Sequence, residues 1–143
     1  MSTIAQLVEN AQKNGDWSPC IEAIPYARLL GIQLSEIEAG VFCLPPKKSN
    51  IGNPTLPALH GGALGGFMEM SAIFHLMMSM EVHKVPKVVD FSIDYLRPGH
   101  FKNTYARCEI VRFGRKLVNV GVDSWQDDSQ KLVARARAQF LID

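Results

Sequence analysis

Apolar and polar positions follow two different rhythms along this chain of 143 residues. In the second half the period is two. Residues 88–96 set Val89, Phe91, Ile93 and Tyr95 against Asp90, Ser92 and Asp94, and residues 104–113 set Ala106, Cys108 and Ile110 against Arg107 and Glu109. Residues 116–125 oppose Val118, Val120 and Val122 to Asn119 and Asp123. Residues 132–142 oppose Ala134, Ala136, Ala138 and Phe140 to Arg135, Arg137 and Gln139. This alternation predicts four strands, each with one buried and one wet face. Turns at Gly114-Arg115 and Asp127-Asp128-Ser129 join the last three as an antiparallel meander.

Residues 61–80 break that rhythm. They are almost continuously apolar, with Glu69 as the one acid, His75 as the one histidine and no Lys or Arg. A segment apolar on every side predicts a buried helix. About 20 apolar residues also suffice to span a bilayer. Glu69 and His75 in mid-segment, and the lack of a second such segment, favour a helix enclosed by the sheet instead.

Upstream, Ser2 is placed to cap a helix over 3–14 that ends at Asn14-Gly15. Residues 18–30 form a short turn or helix, with Pro19 in its first turn and Pro25 limiting its regularity. Residues 32–37 and 41–44 form a hairpin across Glu38-Ala39-Gly40, and a proline- and glycine-rich loop leads from Pro45 to the apolar helix. The expected architecture is α+β, a curved antiparallel sheet wound around one long central helix. Its length suits a single domain over 1–143, with residues 1–25 as a helical extension.

Charge and cysteine usage narrow the functions. A formal net charge of +1 gives no electrostatic reason to expect nucleic acid or an anionic membrane as partner. Cys20, Cys43 and Cys108 are far apart and read as reduced thiols of a cytoplasmic protein, and residues 1–16 lack a signal-peptide pattern. His83 and His100 have no ligand spacing with an acid or cysteine, so no metal is expected. His75 reads as a core histidine. Met68, Met70, Met77, Met78 and Met80 share one helix, as adaptable packing or, alternatively, as the lining of a flexible acyl pocket.

The chemistry concentrates in the run from His60 to Glu69. Glycines at a helix start leave bare N–H groups that suit an oxyanion, and a carboxylate in apolar surroundings needs a compensating role. Gly62, Gly65 and Gly66 share a helical face with Glu69. Gly65 and Gly66 together forfeit about 2 kcal/mol of helix propensity, so something approaches that backbone closely, whether neighbouring structure or a ligand. From Gly62 to Glu69 the axial rise is about 10 Å, too far for one side chain to serve a carbon held at the helix start. A two-fold dimer resolves this, the N–H donors of one subunit meeting Glu69 of the other.

The pattern Asn53-x6-His60-Gly61-Gly62-x6-Glu69, then Asp90-Phe91-Ser92-Ile93-Asp94-Tyr95-Leu96-Arg97-Pro98-Gly99, and later Phe113-Gly114-Arg115-Lys116, resembles the PaaI-like branch of hot-dog-fold acyl-CoA thioesterases over roughly residues 26–143. The resemblance implies hydrolysis of acyl-CoA or acyl-carrier-protein thioesters in a homodimer, or in a tetramer built as a dimer of dimers. It requires no cofactor beyond the coenzyme A of the substrate. It places Glu69 as general base or nucleophile, the Gly61 N–H as oxyanion donor with Gly62 beside it, and His60 as a holder of the loop or a contact to the carbonyl. Asn53 matches the family's loop asparagine, although it stands seven residues before His60 where six is usual, and Asn50 is a weaker substitute. Val88 stands where relatives often carry a water-orienting Ser or Thr. Arg97 and Arg115, then Lys116, are the cations expected to hold coenzyme A phosphates. Enoyl-thioester hydration and non-catalytic acyl-thioester binding are the competing activities.

Overall fold

The structure, a computed structural model, describes residues 3–80 and 85–142. The chain begins with α1 (Ile4–Asn14), capped by Thr3, whose hydroxyl accepts the Gln6 N–H while the Gln6 side chain returns to the Thr3 N–H. The predicted cap, Ser2, lies outside the described residues, as does His83. Two short helices follow, α2 (Ser18–Ala23) and α3 (Pro25–Leu30). They are separate because a proline disfavours helical backbone in the residue before it, and Ile24 is extended accordingly. Gly31, at φ 87°, closes α3 in the left-handed conformation.

Strand β1 (Gln33–Leu34) pairs with β2 (Val41–Leu44), a shorter hairpin than the alternation suggested. The proline- and glycine-rich segment has structure of its own. A 3-10 turn (Lys48–Asn50) precedes a small hairpin of β3 (Ile51–Asn53) and β4 (Ala58–Leu59). The central helix α4 (Gly61–Ser79) follows, then β5 (Lys87–Tyr95), β6 (Thr104–Phe113), β7 (Leu117–Trp125) and β8 (Leu132–Leu141).

The large sheet is antiparallel, in the order β1-β2-β6-β7-β8-β5. Its inner face carries Val118, Val120 and Val122 on β7 and Ala134, Ala136, Ala138 and Phe140 on β8, all buried. The alanine row keeps that part of the sheet shallow, and α4 fills the space with Phe67, Met68, Phe74, Leu76 and Met77. Burial of Met68, Met70 and Met77 assigns those three to packing. Val8, Ala11, Trp17, Cys20 and Ile21 join the same core, so the N-terminal helices cover it as well as extend it. Among the described residues no helix is long and apolar enough to cross a membrane.

One detail of register differs from the simple alternation. Val88 pairs with Phe140 and Asp90 with Gln139, so the strand bulges at Val89. The inward row of β5 therefore runs through Val88, Phe91 and Ile93, and Val89 leaves it.

Candidate active site at the start of the central helix

The helix start is held from three sides. The His60 N–H donates to the Asn50 carbonyl at 2.8 Å, and the Leu59 N–H donates to the Gly99 carbonyl at 2.9 Å. Gly99 permits this approach, since a Cβ there would lie 3.1 Å from the Leu59 Cβ. The following loop is fixed by buried Gln126, which exchanges hydrogen bonds with the His100 backbone and reaches the Thr104 hydroxyl. On the third side the Tyr95 hydroxyl donates to the Gly61 carbonyl at 2.7 Å. Leu59, Gly61, Leu64, Tyr95, Leu96 and Arg97 line a shallow groove at this point.

His60 is the N-cap of α4. Its Nδ1 accepts the Gly62 N–H at 2.9 Å, which places the proton of the neutral ring on Nε2. The Gly62 donor is thereby occupied. Among the described residues no acceptor meets the Gly61 or the Ala63 N–H, and Gly61, at the groove, is the donor placed for a ligand oxygen. Gly62 supports the cap, and Gly61 faces the groove.

Glu69 lies two turns along the helix, half-buried, and burial pushes its carboxyl above the usual carboxylate range. Two elements approach its glycine-rich face. A Cβ on Gly65 would lie 3.6 to 3.9 Å from Tyr95, Phe91 and Ile93, and a Cβ on Gly66 would lie 2.5 Å from the Tyr26 hydroxyl. Glycine at 65 accommodates β5 and glycine at 66 accommodates α3. Between these two contacts runs a strip of helix surface with Gly62 and Glu69 on it, about 20° apart in projection. His75 falls outside the strip, and burial holds its imidazole below the usual histidine range.

The remaining residues separate. Asn53 is exposed, and its side-chain oxygen accepts the Thr55 and Leu56 N–H groups of the β3–β4 turn. Asn50 is buried, with its side-chain amide donating to the Leu30 carbonyl. Val88 stands on the inward row near the start of β5. Arg97 lies at the opposite end of that strand, beside the groove, and its guanidinium donates to the Leu132 carbonyl at 2.7 Å. Arg115 and Lys116 occupy the β6–β7 turn, at the end of the sheet where Lys87 and Leu117 pair with Leu141. Within the chain, Arg97 and the Arg115–Lys116 pair are therefore at opposite ends of the sheet. Tyr26, Tyr95 and Gln126 were not singled out by the sequence as site residues. Only Tyr95 carried a signal, as the last inward member of the β5 alternation.

A model of the thioesterase superfamily matches residues 56–133, more than half of the chain. The chain belongs to the thioesterase superfamily. The solved structure of a Chromobacterium violaceum protein is 41% identical, covering 96% of this chain and 97% of that one, with a TM-score of 0.78. The PaaI protein of the Escherichia coli phenylacetic acid degradation operon superposes with a TM-score of 0.70 over 99% of each chain at 20% identity, a likeness of fold. The medium/long-chain acyl-CoA thioesterase YigI of E. coli K12 is 24% identical, over 83% of this chain and 86% of its own. This member of the superfamily is a thioester hydrolase with the hot-dog architecture expected from its sequence.

Proposed function

We propose that the protein hydrolyses acyl-CoA thioesters at a site shared between two subunits, with the Gly61 N–H of one and Glu69 of the other. The observation that carries this reading is the placement of an unpaired helix-start donor at the groove and a half-buried carboxylate on the same helix, about 12 Å apart along the axis. A tetrahedral oxyanion and its attacking water lie within a few ångströms of each other, so neither protomer completes a site alone.

The free edge of β5 supports the two-fold pairing. The strand ends the sheet, and Val88, Val89, Tyr95 and Leu96 on and beyond it are 40 to 54% exposed. An apolar edge of this kind is a template for pairing with a second copy. Acyl-CoA is favoured over other thioesters by the YigI relative. Arg97 beside the groove, and Arg115 and Lys116 of the β6–β7 turn, are assigned to the substrate's phosphates, Arg97 first because of its position. Three buried free cysteines fit a reducing cytoplasm.

The reaction draws on no cofactor. Glu69 takes a proton from water as its oxygen attacks the thioester carbonyl carbon, and the Gly61 N–H receives the oxyanion. The C–S bond then breaks and the thiolate leaves with the proton that Glu69 returns. Incubation with acyl-CoA esters of increasing chain length, with a thiol reagent present, tests the reading. Thiol release supports it, whereas tight binding without thiol release assigns a carrier role instead.

A further inference from the structure

Tyr26 holds a hydroxyl directly over the Gly66 backbone of the central helix. Its oxygen lies 2.5 Å from the point that a Gly66 Cβ would occupy, and its ring lies 2.9 and 3.1 Å from the same point. Glu69 is the next residue on that side. Long side chains on a helix extend back over the residues three and four before them, which for Glu69 are Gly66 and Gly65. Both lack side chains, so no side chain at either position separates the carboxyl from the phenol. Cβ positions three apart are about 5–6 Å distant, which brings the Tyr26 oxygen within about 8 Å of the Glu69 Cβ before the carboxyl arm reaches back.

The hydroxyl rests on the Gly66 backbone without a polar partner. Among the described residues it makes no hydrogen bond, and the residue is 44% exposed. The helix that carries it is defined at each end. Pro25 starts α3, Gly31 ends it, the buried Asn50 amide donates to the Leu30 carbonyl, and the Lys47 ammonium donates to the Leu29 carbonyl. A short helix tied at its C-terminal end thus presents one unengaged phenol on the Gly66 backbone, three residues before Glu69. Two groups that the sequence offered for orienting a water do not serve. Val88 on the inward row of β5 has no hydroxyl, and the Asn53 amide oxygen is occupied within its own turn.

We infer that Tyr26 is a further catalytic residue, holding the attacking water between its phenol oxygen and the Glu69 carboxylate of the same subunit. The phenol oxygen accepts one O–H of the water while Glu69 accepts the other. A lone pair on the water is left to form the bond to the carbonyl carbon. The proton passes to Glu69 and the phenol keeps its own. This inference rests on the thioesterase reading of the same site.

Tyr26→Phe keeps the ring on Gly66 and removes the oxygen. Steady-state kinetics on an acyl-CoA, with thermal unfolding of both proteins, test the assignment. The expected result is a kcat about tenfold lower, the worth of one hydrogen bond made in the transition state, with KM and Tm unchanged. A wild-type kcat in the variant overturns the inference, as does a loss expressed in KM or accompanied by a lowered Tm, since either assigns the phenol to binding or packing. If the wild type itself releases no thiol from any acyl-CoA offered, the thioesterase reading fails and the inference with it.

Discussion

The Tyr95 hydroxyl donates to the carbonyl of Gly61, a residue that lines the groove and whose own N–H has no acceptor among the described residues. One peptide strand thus fixes the first residue of the central helix from the side on which a substrate is proposed to bind. Tyr95 is half-exposed, so the bond contributes about 1 kcal/mol to stability. Tyr95→Phe is expected to lower Tm slightly and kcat more, because a loosened helix start misplaces the oxyanion donor. Thermal unfolding and kinetics on the same preparation check this.

The capping role of His60 is separable from contact with the substrate. His60→Ala removes the acceptor for the Gly62 N–H and should cost about 1 kcal/mol, the usual worth of an N-cap. Asparagine is a strong N-cap, so His60→Asn should restore stability. If activity returns along with stability, His60 serves the loop; if stability alone returns, the ring touches the substrate.

Glu69 links activity to pH. Its folded-state pKa is raised by burial, so hydrolysis by the ionised base should decline on the acid side at a higher pH than an ordinary glutamate would give. The sign for stability follows from the same shift. A carboxyl whose pKa is higher folded than unfolded favours folding while protonated, and that advantage is lost as pH rises through the folded value. Glu69→Gln should abolish turnover and yet show a Tm at neutral pH no lower than wild type, with the difference shrinking as pH falls. A lower Tm at neutral pH would contradict the burial argument.

Ser124 is fully buried on β7 between Ala106 and Ala134, and among the described residues its hydroxyl has no hydrogen-bond partner. Removing an unsatisfied buried hydroxyl recovers its desolvation cost, so Ser124→Ala should stabilise the protein by about 1 kcal/mol. Chemical denaturation at constant m-value measures it.

The strand alternation and the unbroken apolar run made the sheet and its central helix legible, because burial on one face or on all faces leaves a direct trace in sequence. The β5 bulge did not, since one inserted residue changes register without changing composition, and Val88 rather than Val89 joined the inward row. The small β3–β4 hairpin was hidden by the turn residues that dominate residues 45–60. Around the site, Glu69 and Gly61 stood out by chemistry. Tyr26 and Gln126 did not, because their roles depend on contacts 40 and 26 residues away in the chain, to Gly66 and His100 respectively.

The shared site is tested most directly by mixing two inactive variants. Gly61→Pro removes the N–H at a helix position that tolerates proline, and His60 already has the extended backbone preferred before one (φ −65°, ψ 131°). Glu69→Gln removes the base. Unfolded together in equal amounts and refolded, the two form hybrids in which one of the two sites has both an intact Gly61 and an intact Glu69. Recovery of about a quarter of wild-type activity is the predicted result for random pairing. No recovery, with hybrid dimers demonstrated in the mixture, would contradict a site built across two subunits.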